Sequence, residues 1–404
     1  MESNLNSTPS ADRIHIGFFG CSNAGKSSLL NAVTGQEISI VSEIKGTTTD
    51  PVKKAMEILP IGAVEIFDTP GLNDDSILGK LRVEKTMEVL SHIDIAVVVI
   101  DSVSGMQIED TELIEILDRR KIPFILVYNK CDINSHCDLF KNAISVSAKT
   151  GYGIDKLKEA LISLYNKINT ETKKTLLGDL INKEDCIIFV TPIDESAPKG
   201  RMILPQVQAL RSALDKEAIC IFTQPNQLEK TLSLLSQYPK LIVTDSQVFN
   251  QVKNIVRHSG IPLTSFSILY ARYKGFLEQA VDGANILDIL KDGDNILISE
   301  GCTHHRQCND IGTIKLPKWI ETFSGKKLNF SFSSGSSFPE NLSSYSLVIH
   351  CGGCMLNEKE IASRYERAKL QEIPFTNYGI IIAKMNGILS DSISMFPEFI
   401  ESKK

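Results

Sequence analysis

What the chain lacks narrows its identity before any motif is read. No run of lysine or arginine supplies the positive stripe that a phosphate backbone requires, and the formal net charge is -6, so nucleic acid is not expected as a partner. No apolar stretch approaches the roughly 18 to 20 residues of a membrane span, and runs such as Ile95 to Ile100 fall far short. The opening MESNLNSTPSAD is polar and unlike a secretory signal, so a cytoplasmic location with no membrane contact is expected. The cysteines number 9, an odd count with no export signal, which argues for thiols or metal ligands rather than a disulfide framework. Cys21, Cys131, Cys137, Cys186, Cys220 and Cys308 stand singly and read as small buried or incidental residues.

What is present is ordinary in bulk, 42% apolar and 23% charged, but 404 residues exceed a single core. From Arg13 to about Lys167 short apolar runs (IHIGFFG, AVEIFD, DIAVVVID, IPFILVYN, AISVSA) alternate with helical patterns, as in a parallel sheet flanked by helices. Ile154, Leu157, Leu161, Tyr165 and Ile168 give a closing helix one apolar face, and the polar NTETKKT after it reads as a linker. This first domain is placed at residues 1–172. A second α/β series, residues 178–260, runs through CIIFVTP, AICIFTQ and LIVTD, with Val248, Val252 and Val256 on a helical face. It carries no phosphate loop, so an interaction or dimerisation element is expected there. The third region, residues 261–404, has an amphipathic stretch (Phe276, Ala280, Ile286, Ile289), a strand NILISE, a loop SSGSS and a strand SLVIH. Both strands run into cysteine and histidine, at the carboxyl ends where open α/β sheets bind ligands.

Gly20-Cys21-Ser22-Asn23-Ala24-Gly25-Lys26-Ser27 fits G-x-x-x-x-G-K-[ST] between a strand and a helix. The glycines free backbone N–H groups for phosphate, Lys26 puts a charge on the β- and γ-phosphates, and Ser27 gives Mg²⁺ a hydroxyl; Ser28 is counted in the same cradle. Four further segments follow in order. Gly46-Thr47-Thr48-Thr49-Asp50 reads as a switch loop with Thr48 as a second Mg²⁺ ligand. Asp68-Thr69-Pro70-Gly71 gives Mg²⁺ a water-mediated carboxylate and the γ-phosphate the Gly71 N–H. Asn129-Lys130-Cys131-Asp132 offers a carboxylate to the paired N–H donors of guanine, which adenine lacks. Ser147-Ala148-Lys149 offers a backbone N–H to guanine O6. The fold class expected is therefore α/β, a P-loop GTPase domain followed by two smaller α/β domains. These residues resemble the TrmE/Era branch of GTPases. That resemblance implies K⁺ near Asn23, while Leu72 in place of a water-orienting glutamine implies slow hydrolysis.

In the third region Cys302-Thr303-His304 and His350-Cys351-Gly352-Gly353-Cys354 form C-x-H…H-C-x-x-C, with 45 residues between the histidines. The helical pattern after Cys354 would put its N-terminal dipole beside the thiolates. Three readings stay open on these residues: incidental residues, a structural Cys3His zinc site, or a three-cysteine [4Fe–4S] cluster with an open iron.

Taken whole, the GTPase motifs (GTTTD, DTPGLNDD), the motif-free centre and C-T-H…H-C-G-G-C resemble the HydF family of [FeFe]-hydrogenase maturation GTPases. The resemblance implies a homodimer through the central domain and a [4Fe–4S] cluster on Cys302, Cys351 and Cys354; the residues themselves leave its fourth iron to His304, His350, His305, a carboxylate or water. It further implies a scaffold that carries a diiron precursor to apo-[FeFe]-hydrogenase, alongside the radical-SAM maturases of that pathway. Pro70 departs from the alanine expected in many relatives. The competing expectation is a ribosome- or tRNA-associated GTPase with a structural zinc site.

Overall fold

A computed structural model describes residue 10 and residues 13–35, 52–71, 86–133, 143–170, 175–193, 202–301, 311–335, 337–354 and 356–401. The chain divides into two compact units, Met1–Lys173 and Lys174–Lys404.

In the first unit β1 (Ile14–Phe19), β3 (Gly62–Asp68), β4 (Ile95–Asp101), β5 (Phe124–Asn129) and β6 (Ala143–Ser145) are the five apolar runs of the sequence, all parallel. Helices α1 (Lys26–Thr34), α2 (Ile108–Arg119) and α3 (Ile154–Thr170) flank them. Side chains alternate between the faces of a strand, so Ile16, Phe18, Val97 and Val99 pack with Leu29, Leu30, Leu157 and Leu161. Phe19, Ala96, Val98 and Ile100 meet Leu113 and Leu117 on the other face. Burial on both faces is why these strands read as unbroken apolar runs. One strand departs from the expected parallel sheet: β2 (Val52–Ile58) pairs antiparallel with β3 at the edge, giving the order β2-β3-β1-β4-β5-β6. Its sequence VKKAMEI carries the charges that suit an edge and obscure it as a strand.

The second unit holds two four-stranded parallel sheets. The first contains β7 (Cys186–Val190), β8 (Ile219–Thr223), β9 (Leu241–Thr244) and β10 (Leu263–Ser265), in the order β10-β9-β7-β8. Since β10 pairs with β9, this sheet continues past the boundary expected at residue 260. The second contains β11 (Asn295–Glu300), β12 (Asn329–Ser334), β13 (Leu347–His350) and β14 (Phe375–Asn377), in the order β12-β11-β13-β14. Helices α4 (Leu204–Leu214), α5 (Leu228–Ser233), α6 (Phe249–Val256), α7 (Phe266–Tyr273), α8 (Leu277–Ala284), α9 (Leu316–Ser324), α10 (Glu358–Leu370), α11 (Tyr378–Met385) and α12 (Leu389–Ile393) complete the described helices used below.

In each sheet the first strand pairs with both the second and the third, and the third pairs with the fourth. The likeness extends to sequence. Ile261, Pro262, Thr264, Ile268, Ala271, Gly275 and Leu277 recur as Ile373, Pro374, Thr376, Ile380, Ala383, Gly387 and Leu389, all at one offset. Local geometry repeats with them. Ser265 caps α7 by accepting the Ile268 N–H at 3.3 Å, and Asn377 caps α11 by accepting the Ile380 N–H at 2.9 Å. Gly275 and Gly387 both end their helices at positive φ, 79° and 64°, where a side chain would be strained. The second unit is thus an internal repeat that the strand-by-strand sequence reading did not detect.

The copies interlock. Helix α8 of the first lies on β14 of the second, where Thr376 Oγ1 donates to Ala280 O at 2.7 Å and a Cβ on Gly283 would come within 2.3 Å of Phe375 O. The matching helix α12 of the second packs on β10 of the first. One buried cluster consequently runs through both sheets, from Phe189 and Val243 to Ile298, Ile349 and Ile380. Of the amphipathic stretch, Phe276 and Ala280 are buried as expected, but Ile289 is exposed: α8 stops at Ala284 and a 3-10 turn over Asn285–Asp288 rotates the next residues out of phase. No helix among the described residues is long and apolar enough to cross a membrane.

Candidate functional site

The carboxyl ends of β1, β3 and β5 bring the nucleotide motifs together. Gly20 has φ 141° and lies so close to β4 that a Cβ would sit 2.1 Å from Val99 O; Gly25 has φ 84° and caps α1. Asn23 also takes a left-handed conformation, φ 65°. Ser28 is the third residue of α1 and half-buried. Lys26 is buried, its Nζ donating to Gly20 O and Cys21 O at 2.9 Å each. Burial lowers its pKa to about 8, with Asp68 opposing the shift.

Ser27 Oγ donates to Asp68 Oδ2 at 2.6 Å, so the hydroxyl from the phosphate loop and the carboxylate ending β3 already converge. Such a hard-oxygen pair suits Mg²⁺. Gly71 is pressed against the phosphate loop: a Cβ there would come within 2.2 Å of Ser22 Oγ, which leaves glycine as the residue that fits. Thr48, the other expected Mg²⁺ ligand, lies outside the described residues, as do the remainder of GTTTD and Leu72.

Asn129 joins the loops. Its Nδ2 donates to Ala24 O at 3.0 Å and its Oδ1 accepts the Ala148 N–H at 3.0 Å. Lys130 reaches back over the same loop, donating to Asn23 O and to Asp101 Oδ2, both at 2.6 Å. Asp132 Oδ1 accepts from Ser147 Oγ at 2.6 Å; that hydrogen bond holds its carboxyl below the ordinary range, and Lys149 adds a smaller pull. The Ser147 hydrogen bond favours the ionised carboxylate, an acceptor of the kind the paired N–H donors of guanine need. Two contacts were not legible in the motifs. Asp101 anchors Lys130, and buried Asp110 accepts from Cys21 Sγ at 3.4 Å, helping burial push that thiol up to about 12. The six described cysteines form no disulfide.

In the second repeat β11 and β13 are neighbours, with Ser299 opposite His350, so Cys351 emerges beside Glu300 and one residue short of Gly301. Cys351 Sγ accepts the Gly301 N–H at 3.1 Å and the Gly353 N–H at 3.3 Å. Burial raises the thiol pKa while those two N–H groups act to lower it. Gly353 has φ 62°. A sulfur that receives two backbone N–H groups suits a metal-bound thiolate, so Cys351 fits as one of the three expected thiolates. Cys302, His304, His305 and Cys308 lie outside the described residues. Among the described residues no group of three or more Cys, His, Asp or Glu side chains is arranged to hold a metal.

Two expectations change here. His350 is fully buried and both of its ring nitrogens are engaged: Nδ1–H donates to Cys351 O at 2.8 Å, and Nε2 accepts from Arg364 Nη1 at 3.0 Å. Burial, then Arg364, lower its pKa to about 3; with both nitrogens engaged, the ring braces the cysteine loop and has no lone pair left for iron. Nor do the thiolates sit on a helix terminus, because α10 begins only at Glu358 and Asn357 caps it by accepting the Glu360 N–H at 2.9 Å. The N–H groups of Gly301 and Gly353 take the role expected of the helix dipole. Arg364 and Lys274, which touch this loop's surroundings, carry no local sequence signal that links them to it.

Fold and site together define a P-loop GTPase domain joined to a paired α/β repeat that presents cysteines at its strand ends. The model of the 50S ribosome-binding GTPase family matches residues 15–130. The Hydrogen maturase F dimerization domain matches residues 176–275, and the Hydrogen maturase F tetramerization domain matches residues 278–395. The chain belongs to the hydrogen maturase F family, HydF.

Its first part is 34% identical over 157 residues to the tRNA modification GTPase MnmE of Chromobacterium violaceum, covering 37% of this chain and 34% of that protein. It is 30% identical over 194 residues to the GTPase Der of Kosmotoga olearia, covering 43% of each. The chain thus spans between about a third and under half of the length of these relatives. Among solved structures, the G domain of the T. maritima FeoB iron transporter is 26% identical, with a TM-score of 0.30, covering 38% of this chain and 98% of its own.

Proposed function

We propose that this protein binds and slowly hydrolyses GTP with Mg²⁺ and K⁺, and that it serves in the cytoplasm as a dimeric scaffold for [FeFe]-hydrogenase maturation. In this reading Cys302, Cys351 and Cys354 hold a [4Fe–4S] cluster, with His304 near its open iron. The cargo is a diiron precursor bearing CO and CN⁻, passed to apo-[FeFe]-hydrogenase after the radical-SAM maturases have acted. The observation that carries the reading is the pair of N–H groups converging on Cys351 Sγ at a strand end, within the segment that matches a hydrogen maturase F domain.

Lys26 and Gly71 would hold the β- and γ-phosphates, Ser27, Thr48 and Asp68 the Mg²⁺, Asn23 the K⁺, and Asp132 with Ala148 the guanine. When bound, the cluster supplies an iron coordination site that an outside ligand can enter.

Anaerobic purification with iron, sulfide and zinc counts and a visible spectrum tests this. Iron with equal sulfide and a broad visible absorption is expected. Stoichiometric zinc without sulfide would overturn the reading in favour of a ribosome- or tRNA-associated GTPase with a structural zinc site, the alternative that the likeness of the first domain to MnmE favours. In the same preparations GTP and not ATP should be hydrolysed, faster in K⁺ than in Na⁺. Comparable ATP and GTP rates would remove the guanine assignment.

A further inference from the structure

The interlock of the repeats has a chemical outcome at the cysteine loop. Helix α7 of the first repeat ends at Tyr273, and the next residue, Lys274, reaches into the second repeat. Its Nζ donates to Gly353 O, inside the Cys351–Cys354 loop, and to Leu356 O at 2.9 Å, just beyond it. The stem passes the Tyr270 ring, whose centroid is 5.6 Å from Nζ. Gly353 is therefore held from both sides: its N–H points at Cys351 Sγ and its carbonyl at Lys274. A planar trans peptide fixes the Cys354 N–H opposite the Gly353 carbonyl, so pinning the carbonyl also sets the backbone that carries the second sulfur.

We propose that Lys274 is a positioning residue for the metal loop: the first repeat supplies one ammonium group that sets the Cys351–Cys354 backbone in its ligating shape. This rests on the reading of Cys351 and Cys354 as metal ligands. The repeat itself supplies the contrast. Asn386 stands at the position of Lys274 in the second copy and donates to Ile382 O of its own helix. The clasp is one-sided, made by the first copy toward the strand-end cysteine loop that the second copy alone carries after its third strand.

The test uses the full chain with Lys274→Met, Lys274→Arg and, as a control for lost charge, Lys384→Met, since Lys384 pairs with Asp288 and Asn285 away from the loop. In the metal-free protein, alkylation of Cys351 and Cys354 is followed peptide by peptide. In anaerobically reconstituted protein, iron loss to a chelator and the midpoint potential are measured. Lys274→Met should speed alkylation of both cysteines and iron loss by about tenfold, and should move the potential negative because a nearby positive charge is gone. Lys274→Arg should restore all three, and Lys384→Met should change none. Alkylation and iron loss within about twofold of the unmodified protein in Lys274→Met, with unchanged circular dichroism, would overturn the clasp. If the unmodified protein takes up no iron and sulfide, the cluster reading falls, and the alkylation arm alone decides whether Lys274 sets the loop.

Discussion

The two repeats share strand order, caps and helix ends, yet they differ at the carboxyl end of the third strand. In the first, β9 ends at Thr244 and Asp245 at once caps the next turn, its Oδ1 accepting the Gln247 N–H at 2.9 Å. In the second, β13 ends at His350 and the capping residue is Asn357, which opens a loop where Cys351 and Cys354 sit. One scaffold thus closes its strand end with a cap in one copy and opens it into a longer loop that holds two cysteines in the other. The cost of opening shows in what braces the loop: buried Arg364 on His350, with His350 on Cys351 O, and Lys274 on Gly353 O.

The largest expected difference between the copies is in metal content. Cys351→Ala in the full chain should lose most of its iron on reconstitution, because an anionic ligand is removed. Asp245→Ala at the matching strand end should keep full iron and cost about 1 kcal/mol for the lost cap. Iron analysis and denaturant melts check both, and equal iron in the two variants would break the contrast.

A smaller effect is expected at a pair of matched cations. Arg272 and Lys384 occupy equivalent positions, but Arg272 binds both Asp179 and Glu398 whereas Lys384 has a single, half-exposed carboxylate, Asp288. Arg272→Met should destabilise by about 2 to 3 kcal/mol and Lys384→Met by about 0.5 kcal/mol. The Arg272 hydrogen bond, ahead of its charge, holds the Asp179 carboxyl below its ordinary 3.8. A depressed carboxylate stabilises fully above its ordinary value and loses that contribution as pH falls through the depressed one. The unmodified protein should therefore lose melting temperature on acidification below about pH 4, and Arg272→Met should lose less. Parallel acid profiles for the two would show that the Asp179 contact contributes nothing.

The smallest effect sharpens the likeness itself. Gly275→Ala and Gly387→Ala should each cost about 1 kcal/mol from the same left-handed strain, and the double variant should cost their sum within about 0.5 kcal/mol. Costs differing by more than about 1 kcal/mol would mean that the two helix ends are not equivalent in energy.

The nucleotide site was legible because each motif is local: a few adjacent residues at a strand end carry the chemistry, and the sheet gathers the ends. Edge strand β2 was not, since its lysines and glutamate hide the alternation. The repeat escaped because its identities are confined to the last strand of each copy, the two residues before it and the helices after it, while the loops ahead of them differ in length. His350 read as a ligand because its neighbours in sequence are cysteines; the group that claims its Nε2, Arg364, lies on a helix and forms an i,i+4 pair with Glu360 that resembles any surface pair. Lys274 had no signal at all, for its acceptors, Gly353 O and Leu356 O, are backbone carbonyls of the other copy.

The exchange of helices α8 and α12 between the repeats also governs how the second unit comes apart. Each copy leaves one face of its last strand to be covered by the other, so a fragment ending after α8 would expose the buried side of β10, and a fragment starting at β11 would expose that of β14. Residues 175–401 should accordingly melt in a single transition, with the cysteine loop, tied to the first repeat through Lys274 and Gly353 O, lost in that same step.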